Sequence, residues 1–136
     1  MSYLLDTNVC IALINLTSNK VRARFKQAAQ RNATISTSSI VAYELWYGVA
    51  KSRLIASNAR ALATFLGSNV PALDYTELDA RAAGEIRAEL ERQGKRIGEH
   101  DTLIAGQAFA RNLVLVTANT SEFQRVKGLV VEDWTV

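Results

Sequence analysis

Four carboxylates stand in stretches that could do chemistry together: Asp6 in YLLDTNV, Glu44 in SSIVAYELWYGVA, Asp101 in GEHDTLIAG and Glu122 in TANTSEF. Asp6 is wedged between two apolar runs, where a carboxylate is costly to bury without a partner. No lysine or arginine lies within DTN, YELWYG or HDTLIAG to neutralise these acids. Like charges held close repel and raise each other's pKa unless a cation sits between them. A cluster of Asp, Glu and Asn oxygens suits Mg²⁺ or Mn²⁺, whereas zinc favours nitrogen and sulfur. With one histidine, His100, and one cysteine, Cys10, a zinc site is close to excluded. A hard divalent ion beside a mildly basic surface points to phosphodiester chemistry, in which the metal activates water and stabilises the leaving oxygen. Spacing leaves open whether one ion or two would bind.

Each acid also has a simpler explanation. Asp6 and Asp101 both stand where a helix begins and could serve as caps. Glu44 could be a buried glutamate paired with an arginine. The set carries more weight than any member.

The elements that would position these residues can be read along the chain. Tyr3 to Leu5 predicts a short buried strand ending at Asp6, and TNVCIALINL a helix apolar nearly all round. SNKVRARFKQAAQ predicts a more polar helix capped by Ser18, and ATIS a second strand. SSIVAYELWYGVAKS reads as a helix, with Glu44 bordering its apolar stripe and pointing inward beside Leu45. SNARALATFLGSN reads as another, closed by Gly67. VPALD is a third strand, whose Pro71 favours a strand end or edge. A long amphipathic helix is expected from Thr76 to Gln93, on a stripe of Leu78, Ala82, Ile86 and Leu90, with Gly94 ending it. HDTLIAGQAFARN is a further helix, LVLVT a fourth strand and LVVEDW a last one.

Short apolar strands alternating with helices argue for an α/β fold with a parallel sheet covered on both faces. Sites in such sheets form beyond the carboxyl ends of the strands. Asp6 follows the first strand, and Thr117 closes the fourth, with Asn119 and Glu122 just beyond.

The 136 residues read as a single domain, 1–136, with 49% hydrophobic and 21% charged residues, ordinary for a soluble globular protein. No apolar run is long enough to span a membrane, and no signal peptide is expected. The lone Cys10 can form no internal disulfide, which fits a reducing cytoplasm. The net charge of +3 is compatible with a polyanionic partner without demanding one. Lys20 to Arg31 holds five basic residues and no acid, most simply a solvated helix face.

LLDTNVCIALI, SSIVAYELWYGV and IGEHDTLIAGQAFARNLVLVTANTSEFQRVKGLVVEDW resemble, in order and spacing, the PIN-domain ribonucleases of bacterial toxin–antitoxin modules, the VapC type. The resemblance runs from Tyr3 to Trp134. It implies a PIN-like fold with a central parallel sheet of about five short strands flanked by helices. It also implies an Mg²⁺ site, with Mn²⁺ as a possible substitute, held by Asp6 and Asp101 directly. Glu44 would act through a water or help activate the nucleophile. Many relatives carry Asp where this chain has Asn119; here either Asn119 or Glu122 would complete the shell, with Glu122 the favoured catalytic acid. Thr7, Asn8, Thr117 and Asn119 would orient the carboxylates. His100 stands where relatives often have an aromatic; it is a candidate for RNA contact or proton transfer, though a lone histidine there is most simply incidental.

The same resemblance implies an endoribonuclease toxin that cleaves structured RNA and stops translation. GEHDTLIAGQA and TANTSEFQRV are closest to the subgroup acting on the anticodon loop of initiator tRNA. Lys51, Arg53, Lys95 and Arg96 are candidate phosphate contacts. Expected partners are a second copy of the chain and a cognate VapB-like antitoxin whose extended segment fills a groove and blocks the metal site. Trp46, Tyr47 and Leu54 would either line that groove or belong to the core.

Two rival readings remain at this level. LLDTNV superficially resembles the start of a haloacid-dehalogenase-type phosphohydrolase, but Asn8 occupies the slot of its second Asp. A non-catalytic RNA-binding PIN domain would have no need of the full acid set.

Overall fold

A computed structural model describes residues 1–136. Five parallel strands form one sheet in the order β3-β2-β1-β4-β5: β1 Ser2–Leu5, β2 Thr34–Ser38, β3 Ala72–Leu73, β4 Val114–Val116 and β5 Val131–Glu132. Seven α-helices connect them: α1 Thr7–Asn15, α2 Asn19–Gln30, α3 Ser39–Ala50, α4 Ile55–Thr64, α5 Glu77–Arg92, α6 Glu99–Ala110 and α7 Thr120–Phe123. Right-handed crossovers place α1 to α4 on one face and α5 and α6 on the other, because the strand order reverses direction after β3. The reversal leaves a crevice between the carboxyl ends of β1 and β4.

The middle of the sheet explains why the strands read as apolar runs. Leu4, Leu5, Leu115 and Val116 are fully buried, as expected where both faces are covered. β2 is the exception, burying Ser36, Thr37 and Ser38. Each hydroxyl is satisfied. Ser36 Oγ donates to the Tyr3 carbonyl (3.2 Å), Thr37 Oγ1 donates to the Leu5 carbonyl (2.6 Å), and Ser38 Oγ accepts from the Ile40 amide (3.0 Å) as the cap of α3. Buried polar groups cost little when bonded in this way. Ser18 caps α2 as its sequence predicts, accepting from the Val21 amide (3.2 Å). Pro71 precedes β3, which is an edge strand.

Cys10 is buried beneath Asp6 on α1, with Sγ 3.7 Å from Thr37 Oγ1. Burial pushes its thiol up to about 12; the Thr37 hydrogen bond opposes this and the Asp6 charge adds to it. Only the thiolate is a nucleophile. In the native protein Cys10 should therefore stay silent to a thiol-reactive dye at pH 8 and react fully in guanidinium; rapid labelling of the folded chain would contradict this burial.

Three expectations are corrected. Leu78 is 68% exposed, and the inward face of α5 is instead Asp79, Ala83, Ile86 and Leu90, with Ala82 only half-buried. A strict every-fourth-residue run precesses by about 40° per step around a helix of 3.6 residues per turn, so it cannot hold one face. Gly67 does not close α4: the helix ends at Thr64, and a π-turn over Phe65–Asn69 runs through Gly67. The core-bound Phe65 accepts the Val70 amide at 2.9 Å, which sets that wider turn. Asp101 is not a helix cap. Gly98 occupies that position, and Asp101 lies within the first turn, with Glu99, at the positive end of α6.

The two helices α5 and α6 approach very closely at Gly106. A Cβ there would fall 2.5 Å from the Ala83 Cβ and 2.6 Å from its Cα and backbone nitrogen. Gly106→Ala must push the helices apart, with a loss of about 1–3 kcal/mol typical of overpacking. Urea denaturation checks this, and a variant as stable as the wild type would show that the helices separate freely.

Candidate active site

Each of the four acids reaches the crevice from a different element. Asp6 comes from the end of β1, Glu44 from the middle of α3, Asp101 from the first turn of α6 and Glu122 from α7. The short helix α7 was not foreseen; it is pinned by the fully buried Phe123, and this anchor turns Glu122 back toward the sheet.

Asp6 is 7% exposed, and both of its carboxylate oxygens are fixed. The Thr7 amide donates to Oδ1 (2.8 Å) as α1 begins, and Thr117 Oγ1 donates to Oδ2 (2.7 Å) from the end of β4. Asp6 is thus a helix cap and a member of the acid cluster at once. Thr7 Oγ1 also donates to Glu44 Oε1 (3.0 Å), which ties two acids through one residue. Thr117 Oγ1 further accepts the Asn119 amide (3.0 Å), while Asn119 Nδ2 donates to Glu122 Oε2 (2.7 Å). The structure therefore relates the two alternatives for the fourth position: Asn119 orients Glu122. Asn8 differs from expectation. It is exposed on α1 and hydrogen-bonds none of the acids.

Asp101 reports on the cluster as a whole. Burial pushes its carboxyl up to about 6, reinforced by the charge of Asp6, by Glu122 close enough to share a proton, and by Glu44. No lysine or arginine forms an ion pair with any of the four acids. The only basic group near them is His100, whose Nδ1 lies 3.9 Å from Glu44 Oε2. An arginine-paired Glu44 is thereby excluded.

This donor set fits a hard divalent cation. It is all oxygen, oriented by hydroxyl and amide donors, and its uncompensated charge raises Asp101. The side chains surround the crevice without closing into a finished shell, since no three acids are already spaced as ligands. Closure would take side-chain adjustment toward the ion.

The basic candidates lie at the periphery. Lys51 is exposed at the end of α3, with its ammonium 4.7 Å from the Tyr47 ring, and Arg53 is exposed in the turn that follows. Lys95 and Arg96 are exposed in the turn before α6, where Arg96 pairs with Glu91 at 3.6 Å. Trp46, Tyr47 and Leu54 are exposed and not core. An apolar groove does run up to Glu44, but it lies between α1, α3 and α4 and is lined by Ile11, Ile14, Leu45, Val49 and Leu62. Trp46 and Tyr47 fall on the outer side of α3, away from that lining, because the helix buries Val41 and Leu45 instead.

The PIN domain family pattern matches residues 3–129. The tRNA(fMet)-specific endonuclease VapC of Shigella flexneri is 42% identical over 135 residues, covering 99% of both chains. The chain belongs to the VapC family of PIN domains. Two solved VapC-family assemblies superpose closely on it. They are VapBC2 of Rickettsia felis bound to a promoter DNA fragment (TM-score 0.91, 41% identity, 98% of this chain and 99% of that one) and DNA-bound VapBC of Salmonella typhimurium (TM-score 0.90, 40% identity, 98% of each). Membership removes the haloacid-dehalogenase alternative. In this VapC-family protein the PIN fold and its parallel five-stranded sheet are as expected from the sequence.

Proposed function

We propose that this protein is an Mg²⁺-dependent endoribonuclease toxin that cuts the anticodon loop of initiator tRNA. The observation that carries the reading is the convergence of Asp6, Glu44, Asp101 and Glu122 on one crevice with no lysine or arginine paired to any of them. The relatives named for tRNA(fMet) cleavage and found in VapBC complexes support the substrate and the antitoxin partner.

Asp6 and Asp101 would hold the cation, with Glu122 completing the set. When bound, the ion supplies Lewis acidity and lowers the pKa of attacking water. Thr7 and Thr117 hold the Asp6 oxygens fixed, so Asp6 is the preorganised member of the set and the other acids adjust around it. Glu44, tethered by Thr7 Oγ1, is the acid free to accept the proton of the attacking water. Loop RNA suits this open crevice, because unpaired nucleotides can be splayed out where stems cannot. Lys51, Arg53 and Lys95 supply phosphate contacts at the rim.

An extended antitoxin segment would fill the groove lined by Ile11, Ile14, Leu45, Val49 and Leu62 and end against Glu44. We further infer a homodimer acting in the cytoplasm, with Mn²⁺ able to replace Mg²⁺. No helix is long and apolar enough to cross a membrane.

Cleavage sites are mapped on total RNA after brief expression of the wild type and of Asp6→Ala. The expected result is a small set of Mg²⁺-dependent cuts, dominated by initiator tRNA and absent from the variant. Cuts that persist in Asp6→Ala would remove the acid cluster from the mechanism.

A further inference from the structure

One aromatic pair beside the acids has no part in the core. Tyr43 precedes Glu44 on α3 and is 61% exposed, although tyrosine is a large side chain that folding usually covers. His100 precedes Asp101 on α6, and its side chain is 48% exposed. The two rings come from different helices yet meet edge-on, with centroids 5.5 Å apart and planes at 83°. His100 Nδ1 also lies 3.9 Å from Glu44 Oε2, so the pair abuts the carboxylates rather than some distant surface. The result is a right-angled aromatic corner, open to solvent, at the lip of the acidic crevice.

We propose that Tyr43 and His100 form a stacking subsite for the unpaired base that flanks the scissile phosphate. The inference rests on the ribonuclease reading above and specifies how its substrate is held. A phosphate held beside the acids through a cation would bring its own nucleotide within reach of the corner. One ring offers a π-face, and the other closes the pocket with its edge. Base–aromatic stacking is sequence-tolerant and strong enough to position a flexible strand. It supplies what the carboxylates lack, since they repel the RNA backbone and hold it only through a cation. The two rings move with the helices that carry Glu44 and Asp101, so the base they hold is placed in register with the acids.

The test uses the initiator-tRNA anticodon stem–loop with 2-aminopurine placed at each loop position in turn. The Glu44→Gln background keeps the RNA intact while leaving Asp6 and Asp101 to hold Mg²⁺. One position should be strongly quenched on binding. The quench should vanish with Tyr43→Ala, weaken with His100→Ala and survive in Tyr43→Phe, which keeps the ring. Absence of quenching at every position, or an unchanged quench in Tyr43→Ala, overturns the proposal.

A second measurement uses the cleaving protein. An abasic nucleotide beside the mapped cut should raise the wild-type KM about 10- to 100-fold, the scale of one lost stack. Tyr43→Ala should show that rise already with intact RNA, and no further rise with the abasic substrate. Equal abasic penalties in both proteins would overturn the subsite. Binding and quenching are read without cleavage. The nuclease reading fails by a different result, the survival of cuts in Asp6→Ala.

Discussion

Asp101→Asn should lose RNA cleavage by about 1000-fold or more, the scale on which removal of a catalytic carboxylate acts. The same change should stabilise the protein without divalent cations at pH 7.5. The first effect follows from losing a carboxylate that would hold the cation, the second from relieving charge repulsion. Burial and the charges of Asp6, Glu122 and Glu44 push the Asp101 carboxyl from its ordinary 3.8 up to about 6. A folded-state pKa above the unfolded value means that the folded chain holds its proton more tightly between pH 3.8 and 6. Stability from this group is therefore full below about 3.8, falls as pH rises, and is gone above about 6.

Scanning calorimetry in EDTA should show the wild type losing midpoint temperature from pH 4 to 7 relative to Asp101→Asn. Mg²⁺ at pH 7.5 should restore the wild type and do little for the variant. Identical pH profiles, with no Mg²⁺-dependent difference, would mean that the acids are too far apart to feel one another.

Arg111→Ala should destabilise the protein by about 3–5 kcal/mol, because it strands a buried charge. Asp79 on α5 is 1% exposed. Arg111, just after α6, donates from Nε to Oδ1 (3.2 Å) and from Nη2 to Oδ2 (2.9 Å). The Thr76 amide (2.8 Å), Thr76 Oγ1 (3.2 Å) and Gln107 Nε2 (3.3 Å) also contact Oδ2. Burial alone would push the carboxyl up. The Arg111 and Thr76 contacts overcome this and hold it below the usual aspartate range.

Asp79→Asn keeps the shape and some of these bonds, so it should cost less than Arg111→Ala. The sign with pH is opposite to that of Asp101: this stability is present above about pH 4 and lost as pH falls through the depressed value. Urea denaturation at pH 7 and pH 3.5 checks both. An Arg111→Ala variant within 1 kcal/mol of wild type would show that Asp79 finds water or another partner. The network also bears on the site, because it fastens α5 to the helix that carries Asp101.

The acids were legible in the sequence because their surroundings betray them. Asp6 interrupts an apolar run, and Glu44 borders a buried stripe; strand-end positions did the rest. The link from Thr7 to Glu44 was not visible, since it needs the crossing angle of α1 and α3. Nothing in the sequence marks Asp79 and Arg111, 32 positions apart, as partners. That hidden pair also explains the misplaced stripe of α5: a satisfied aspartate faces inward where Leu78 was expected to. The apolar groove beside Glu44 was hidden for a related reason. Aromatic residues suggested a lining, but α3 turns its small and aliphatic residues toward α1 and α4 instead.

Asp6 lies near the start of the chain, yet Thr117, which fixes its second oxygen, comes 111 residues later. The sheet's middle strand likewise cannot finish its pairing until β4 exists. A chain that emerges from the ribosome N-terminus first must therefore wait for nearly its whole length before this closure can begin. Until then the chain lacks Thr117 and Glu122, and with them the second anchor of Asp6 and the fourth acid. Fragments ending before Val114, as from a broken message, should bind no Mg²⁺ and cut no RNA.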